Sequence, residues 1–248
     1  MSGPTVVSWF SAGGSSAVAT KLAIDKIDRI IYTHIDDHHP DTMRFVGDCE
    51  KWFGKPVEVL QSPVKSVESA VLLAGGDGYI NGVAGASCTK RLKREVRKQW
   101  EQDNINDGPF TYVWGFDATE ADRADRVVES MPNQQHIFPL IPHYTKEEVH
   151  KIMNASGIRR PAMYELGYNN NNCVGCVKGG MGYWNKIRVD FPEVFEARAK
   201  LERRVGASCI NGVYLDELDP ERGRTPNPVV DDCGLFCELM ALDDNNED

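Results

Sequence analysis

No apolar run among the 248 residues approaches the ~20 needed to span a bilayer. The N-terminus has no basic stretch followed by an apolar one, so no secretory signal is expected. A cytoplasmic location with no membrane partner follows. Positive charge is also short. The formal net charge of −9 argues against nonspecific duplex binding, which needs a basic surface. Two nucleotide motifs are missing: no Gly-Lys-Ser/Thr follows the first glycine pair, so no lysine reaches terminal phosphates from there. Gly-x-Gly-x-x-Gly is absent as well, which excludes the dinucleotide fingerprint. Internal repeats are lacking. The seven cysteines are an odd number, which in a cytosolic chain points to metal, cluster or catalytic thiols rather than disulfides.

What is present is ordinary for a soluble protein: 41% hydrophobic and 26% charged residues, enough for one α/β domain with a small appendage. Strand and helix signals alternate in the first half. Strands are expected over 6–10, 29–35, 57–61, 111–115 and 135–139, and helices over 16–26, 41–53 and 89–103. Such alternation predicts an α/β fold, a mostly parallel twisted sheet with helices on both faces. From Thr145 the pattern changes. Thr145 with Glu148 has capping-box spacing, a loop-rich stretch covers 164–184, and a charged helix spans 191–205. The expected division is a nucleotide-binding core over 1–145 and a helical, loop-rich, cysteine-containing region over 146–248.

The most informative stretch is 6–19. An apolar run enters a small, hydroxyl-rich turn that opens an Ala-rich helix. A helix start presents unpaired N–H groups and partial positive charge, a ready anion site. Gly13 and Gly14 permit close backbone approach, and Ser11, Ser15 and Ser16 add hydroxyls. The plainer alternative is a serine-capped turn with no ligand.

Four further groups carry chemistry. His34, His38 and His39 with Asp36, Asp37 and Asp41 crowd one turn after the second strand, as a metal site or as a solvated surface. Cys88 opens a helix beside Lys90, Arg91, Lys93 and Arg94, a setting that lowers a thiol pKa and supplies cations for phosphate or sulfate. Gly115 to Arg126 is a polar helix start with cations able to reach a phosphate. Cys173 and Cys176 form Cys-x-x-Cys, and Cys233 and Cys237 a second pair at wider spacing. Together they make a four-thiolate site for Zn²⁺ or [4Fe–4S], with Cys88 or Cys209 able to replace one ligand. The alternative is unpaired buried cysteines.

The first loop resembles the Ser-Gly-Gly-x-Asp-Ser loop of the ATP pyrophosphatase (PP-loop) superfamily, which contains the phosphoadenosine-phosphosulfate (PAPS) reductases and ATP-dependent tRNA thiolation enzymes. Ser11, Gly13 and Ser16 match, Ala12 replaces the first Gly and Ser15 the Asp. Some virus-borne relatives carry Cys where Ala12 stands. His39-Pro40-Asp41-Thr42 resembles the reductases' Glu-His-Pro-Glu-Thr. Gly115 and Glu120 match Gly-x-Arg-x-x-Glu-Ser-x-x-Arg, with Asp117 at the first Arg, and Arg123 and Arg126 flanking the last. Asp232-Cys233-Gly234-Leu235 resembles the reductases' Glu-Cys-Gly-Leu-His, whose cysteine attacks sulfur.

The resemblance implies an adenine nucleotide alpha hydrolase-like fold and a nucleotide held by Ser11, Gly13, Gly14, Ser15, Ser16, Gly115 and Arg123. Thr33, His34 and Asp36 are expected near the ribose or base. It further implies cleavage of the α–β bond of ATP with Mg²⁺, adenylating an acceptor of small-molecule or nucleic-acid nature. Lys90, Glu120 and Cys233 are the catalytic candidates, and cluster-bearing relatives favour [4Fe–4S] over zinc. Sulfonucleotide reduction through Cys233 and non-catalytic nucleotide binding are the alternatives, and a homodimer stays open.

Overall fold

The computed structural model describes residues 4–73, 79–82, 85–104 and 109–223. Its centre is a five-stranded sheet in the order β3-β2-β1-β6-β7. The strands are β1 (Thr5–Trp9), β2 (Arg29–His34), β3 (Val57–Gln61), β6 (Phe110–Val113) and β7 (Gln135–Ile137). β1 pairs in parallel with β2 (Val7 opposite Arg29) and with β6 (Val6 opposite Thr111), and β6 with β7 (Val113 opposite Ile137). A separate short hairpin pairs β4 (Asn81–Gly82) with β5 (Gly85–Ala86).

The period-2 geometry of strands splits the central sheet into two faces. Phe10, Ile30, Tyr32 and Val113 meet one core with α1 (Gly14–Leu22), α2 (Asp41–Phe53) and α7 (Lys146–Ala155). From those helices come Val18, Phe45, Cys49, Val149 and Met153, all nearly or fully buried. The other face carries Trp9, Phe110 and Tyr112 against α5 (Glu95–Asp103). The Trp100 ring lies 5.6 Å edge-on to Trp9 and 5.4 Å from Phe110. Helices therefore cover both faces, which is why the central strands read as nearly continuous apolar runs.

Local sequence explains the helix ends. Gly54 closes α2 in the left-handed region at φ +69°, donating its N–H to the Glu50 carbonyl. At α7 the Thr145 hydroxyl accepts from the Glu148 amide while the Glu148 carboxylate accepts from the Thr145 amide, the expected capping box. No helix among the described residues is long and apolar enough to cross a membrane.

The described residues fall into two compact units: one within 1–33, 40–60 and 96–165, the other within 34–39, 61–95 and 166–248. The first holds the body of the sheet and its two cores. The second contains α3 (Val67–Leu72), the hairpin and α4 (Ser87–Thr89), which runs on as the π-helical turn Lys90–Arg94. It also holds α9 (Met181–Asp190) and α10 (Pro192–Val205).

Among the described residues, α3 and α9 are helices that lie where none is expected from sequence. Ser66 caps α3, its hydroxyl accepting from the Ser69 amide. α9 begins inside the stretch read as loop, because Gly180 serves as its N-cap and its aromatic residues Tyr183 and Trp184 are buried.

Candidate nucleotide site

The loop after β1 is built as a tight hydroxyl cage. Ser16 accepts at its Oγ from the Ser11 amide (3.2 Å) and the Ser11 hydroxyl (2.9 Å), and its own hydroxyl donates to the Gly13 carbonyl (3.0 Å). Gly13 is the N-cap of α1 with extended backbone. Ser15 and Ser16 lie in the first helical turn, whose amides have no intrahelical acceptor. Ala12 sits at φ +58°, in the left-handed region where a side chain is strained. That is where the resembling pattern has glycine.

Gly115, just past β6, packs onto this turn. A Cβ added there would fall 2.5 Å from the Ser16 Cα and 2.7 Å from its N. Of the residues predicted to bind phosphate, Ser11, Gly13, Gly14, Ser15, Ser16 and Gly115 therefore meet in one place in the first unit.

Three further residues close on this turn: Tyr164 in α8 (Ala162–Glu165), with His150 and Met153 of α7. The Gly14 amide donates to the Tyr164 hydroxyl at 3.1 Å, and the Tyr164 ring stands edge-on to His150 with centroids 5.0 Å apart. Sequence reasoning missed all three, since residues so far along the chain, 150 positions in the case of Tyr164, leave no local signal of contact.

Glu120 and Arg123 belong to the same unit but serve a helix start. Asp117 accepts from the Thr119 amide and Glu120 from the Asp117 amide, a capping box before α6 (Ala121–Ser130). Glu120 also forms an ion pair with Arg123, whose guanidinium lies over the Phe116 ring at 5.0 Å.

Thr33 is the penultimate residue of β2, and His34 ends the strand. In the second unit, Asp36 is exposed and accepts from Gln61 (2.8 Å). Lys90 is exposed, and Cys88 is half-buried beside it in α4. His38 is buried; desolvation, then the nearby Lys93 and His34, hold its pKa well below the usual histidine value.

The Cys-x-x-Cys segment folds as a turn with Gly175 at φ +70°. It is stitched to the 34–39 loop: His38 bridges Cys173, and the Val174 amide donates to the Asp37 carbonyl (2.8 Å). Arg198 donates to the Gly175 carbonyl and pairs with Asp37 at 2.6 Å. The Tyr183 hydroxyl accepts from the Cys176 amide and donates to the Cys173 carbonyl, and desolvation followed by the Cys176 thiol pushes its pKa well up.

Cys209 is buried next to Glu202, whose carboxylate accepts from the Cys209 and Leu215 amides at 2.6 Å each. Burial, then Glu202, raises the Cys209 thiol pKa far above its ordinary value. Two buried thiols on one tight turn suit half of a four-thiolate site. Among the described residues no three His, Cys, Asp or Glu side chains are arranged to hold a metal ion. Cys233 and Cys237 lie outside the described residues.

No curated protein matches the chain. The family model for the phosphoadenosine phosphosulfate reductase domain matches residues 5–180, a span that takes in the β1 loop, the Gly115 turn and the Cys-x-x-Cys segment. With the parallel sheet and the β1 loop beside it, that match places the chain in the phosphoadenosine phosphosulfate reductase domain family, whose members are nucleotide-binding, sulfonucleotide-related enzymes.

Proposed function

We propose that this protein binds an adenine nucleotide by its phosphates at residues 11–16 and, with Mg²⁺, cleaves the α–β bond of ATP to adenylate an acceptor. The observation that carries the reading is the packing of Gly115 against the Ser16 backbone. A glycine kept that close to the first turn of α1 leaves the amide end of the helix in a fixed orientation. Backbone N–H groups held in place stabilise charge developing on phosphate oxygens without reorganising.

Cys173 and Cys176, with Cys233 and Cys237, would hold a zinc ion or a [4Fe–4S] cluster. Bound there, it would supply a thiolate-held centre able to carry sulfur to the activated acceptor. This chain's own contribution is to keep the two described thiols on one turn, pinned by Tyr183 and Arg198.

The test is direct. Protein incubated with ATP, Mg²⁺ and a supplied small-molecule or nucleic-acid acceptor should release pyrophosphate as the acceptor oxygen takes the adenylyl group, and Ser16→Ala should lower that release. Nucleotide binding with no pyrophosphate under any acceptor would leave a non-catalytic binding protein. A second reading, sulfonucleotide reduction through Cys233, is favoured by the family match itself. It requires thiol-dependent sulfite release from PAPS or its unphosphorylated analogue, abolished in Cys233→Ser.

A further inference from the structure

One amide of the α1 N-terminus is already taken by a side chain. The Gly14 N–H donates to the Tyr164 hydroxyl at 3.1 Å, and Tyr164 is only 9% exposed. A Cβ built on Gly14 would meet the Met153 Sδ at 3.0 Å, the Tyr164 oxygen at 3.6 Å and the His150 Cε1 at 3.7 Å. Side chains of α7 and α8 thus close on the backbone where an anion would approach. Gly13 and Gly14 are buried, and Ser15 and Ser16 are 4% and 6% exposed.

The segment bearing Tyr164 is tied down at its other end. Asp41 accepts from the Ala162 amide (2.9 Å) and from Arg159 (3.0 Å), while Arg44 donates to the carbonyls of Arg159 and Arg160. The phenol is therefore held on the amide by a braced piece of chain.

A phenol oxygen is a neutral acceptor, whereas a phosphate oxygen is charged. Charge-assisted hydrogen bonds are roughly twice as strong as neutral ones, and the helix N-terminus favours the anion further. We infer that Tyr164 is an affinity-setting residue of the phosphate site: its hydroxyl stands in for a phosphate oxygen on Gly14 and has to be displaced from that amide by the charged oxygen of an incoming ligand. This rests on the nucleotide reading above and adds a rule to it. A phosphorylated nucleotide displaces the phenol; the bare nucleoside does not. Removing the hydroxyl frees the amide, so phosphate-bearing ligands bind more tightly while the nucleoside gains nothing.

The experiment is calorimetric titration of the full chain and its Tyr164→Phe variant with ATP, inorganic pyrophosphate and adenosine, with thermal unfolding of each as a folding check. Phenylalanine keeps the ring beside His150 and deletes only the oxygen. The expected result is roughly three- to ten-fold tighter binding of ATP and pyrophosphate by the variant, the worth of one hydrogen bond, with the response to adenosine unchanged. If the wild type binds ATP and the variant binds it equally or more weakly, the inference fails and the nucleotide reading stands. Equal tightening toward adenosine also overturns it, because a general loosening would then be the cause. If neither protein binds ATP or pyrophosphate, the nucleotide reading itself falls and takes the inference with it. Should Tyr164→Phe not fold, Asp41→Asn loosens the segment without touching the tyrosine, and the same pattern of affinities is expected and the same outcomes decide.

Discussion

Gly115 and Ser16 approach so closely that one extra carbon on Gly115 would lie 2.5 Å from the Ser16 Cα. The nearest atoms met are the Ser16 backbone Cα and N, so no rotamer change can relieve the clash. Gly115→Ala should therefore displace the start of α1 from the sheet. We expect a loss of about 1–3 kcal/mol of stability, the usual cost of overpacking, measured by urea denaturation. Nucleotide affinity should fall by more than the stability loss alone explains, because the anion-binding turn itself moves.

Ala12 offers the opposite test. Its φ of +58° is strained for any residue with a side chain. Ala12→Gly should relieve that strain, although glycine costs more entropy on folding. The expected net change is stabilising by up to about 1 kcal/mol, read as a higher denaturation midpoint. An equal or lower midpoint would show that the Ala12 methyl, which is fully buried, contributes more by packing than it costs in strain.

Asp41 and Arg44 provide a pH signature. The hydrogen-bonded Arg44 guanidinium, with smaller help from the Ala162 amide, holds the Asp41 pKa at about 2 against burial acting the other way. Its folded pKa lies below the unfolded value of about 3.9. The stabilisation is then fully present above about pH 4 and is lost as pH falls toward 2. Comparing wild type with Asp41→Asn, the stability gap should be about 2 kcal/mol near neutrality and should close across that acidic window. A gap that stays constant with pH would mean that the ion pair contributes nothing.

Arg198 is almost fully buried and pairs with Asp37 while also donating to the Gly175 carbonyl. Arg198→Met would strand the Asp37 carboxylate without its partner. A destabilisation of about 3–5 kcal/mol is expected, with partial recovery in the Asp37→Asn, Arg198→Met double variant. Because Arg198 also pins the turn between Cys173 and Cys176, both thiols should be alkylated faster in the single variant. An unchanged alkylation rate would show that Tyr183 alone keeps the turn closed.

The fold was legible where one physical signal dominated. α2 and β3 start and stop where the apolar pattern and Gly54 place them. The Thr145–Glu148 capping box is a local code with local partners. α9 was hidden because its glycine-rich start mimics a loop and its buried residues follow no clean stripe. α10 reads in sequence only as a charged helix, yet its Arg198 and Glu202 are both buried and bond to other segments. The candidate site divides in the same way. The hydroxyls and glycines of the β1 loop are a contiguous motif, whereas Tyr164, His150 and Met153 reach it from far along the chain, where only folding brings them. Glu120, which matches the motif, caps a helix start with Asp117 and forms an ion pair with Arg123, which flanks the motif's last Arg position.

The central claim is that the turn at residues 11–16 grips nucleotide phosphates. The most direct measurement is calorimetric titration of the wild-type chain and of Ser16→Ala with ATP and with PAPS. The account predicts saturable heat with at least one of them at one site per chain, and roughly ten-fold weaker binding once the Ser16 hydroxyl, which ties the turn to Ser11 and Gly13, is gone, on the scale of one hydrogen bond. No heat from either nucleotide, or identical affinity in the two proteins, would contradict it.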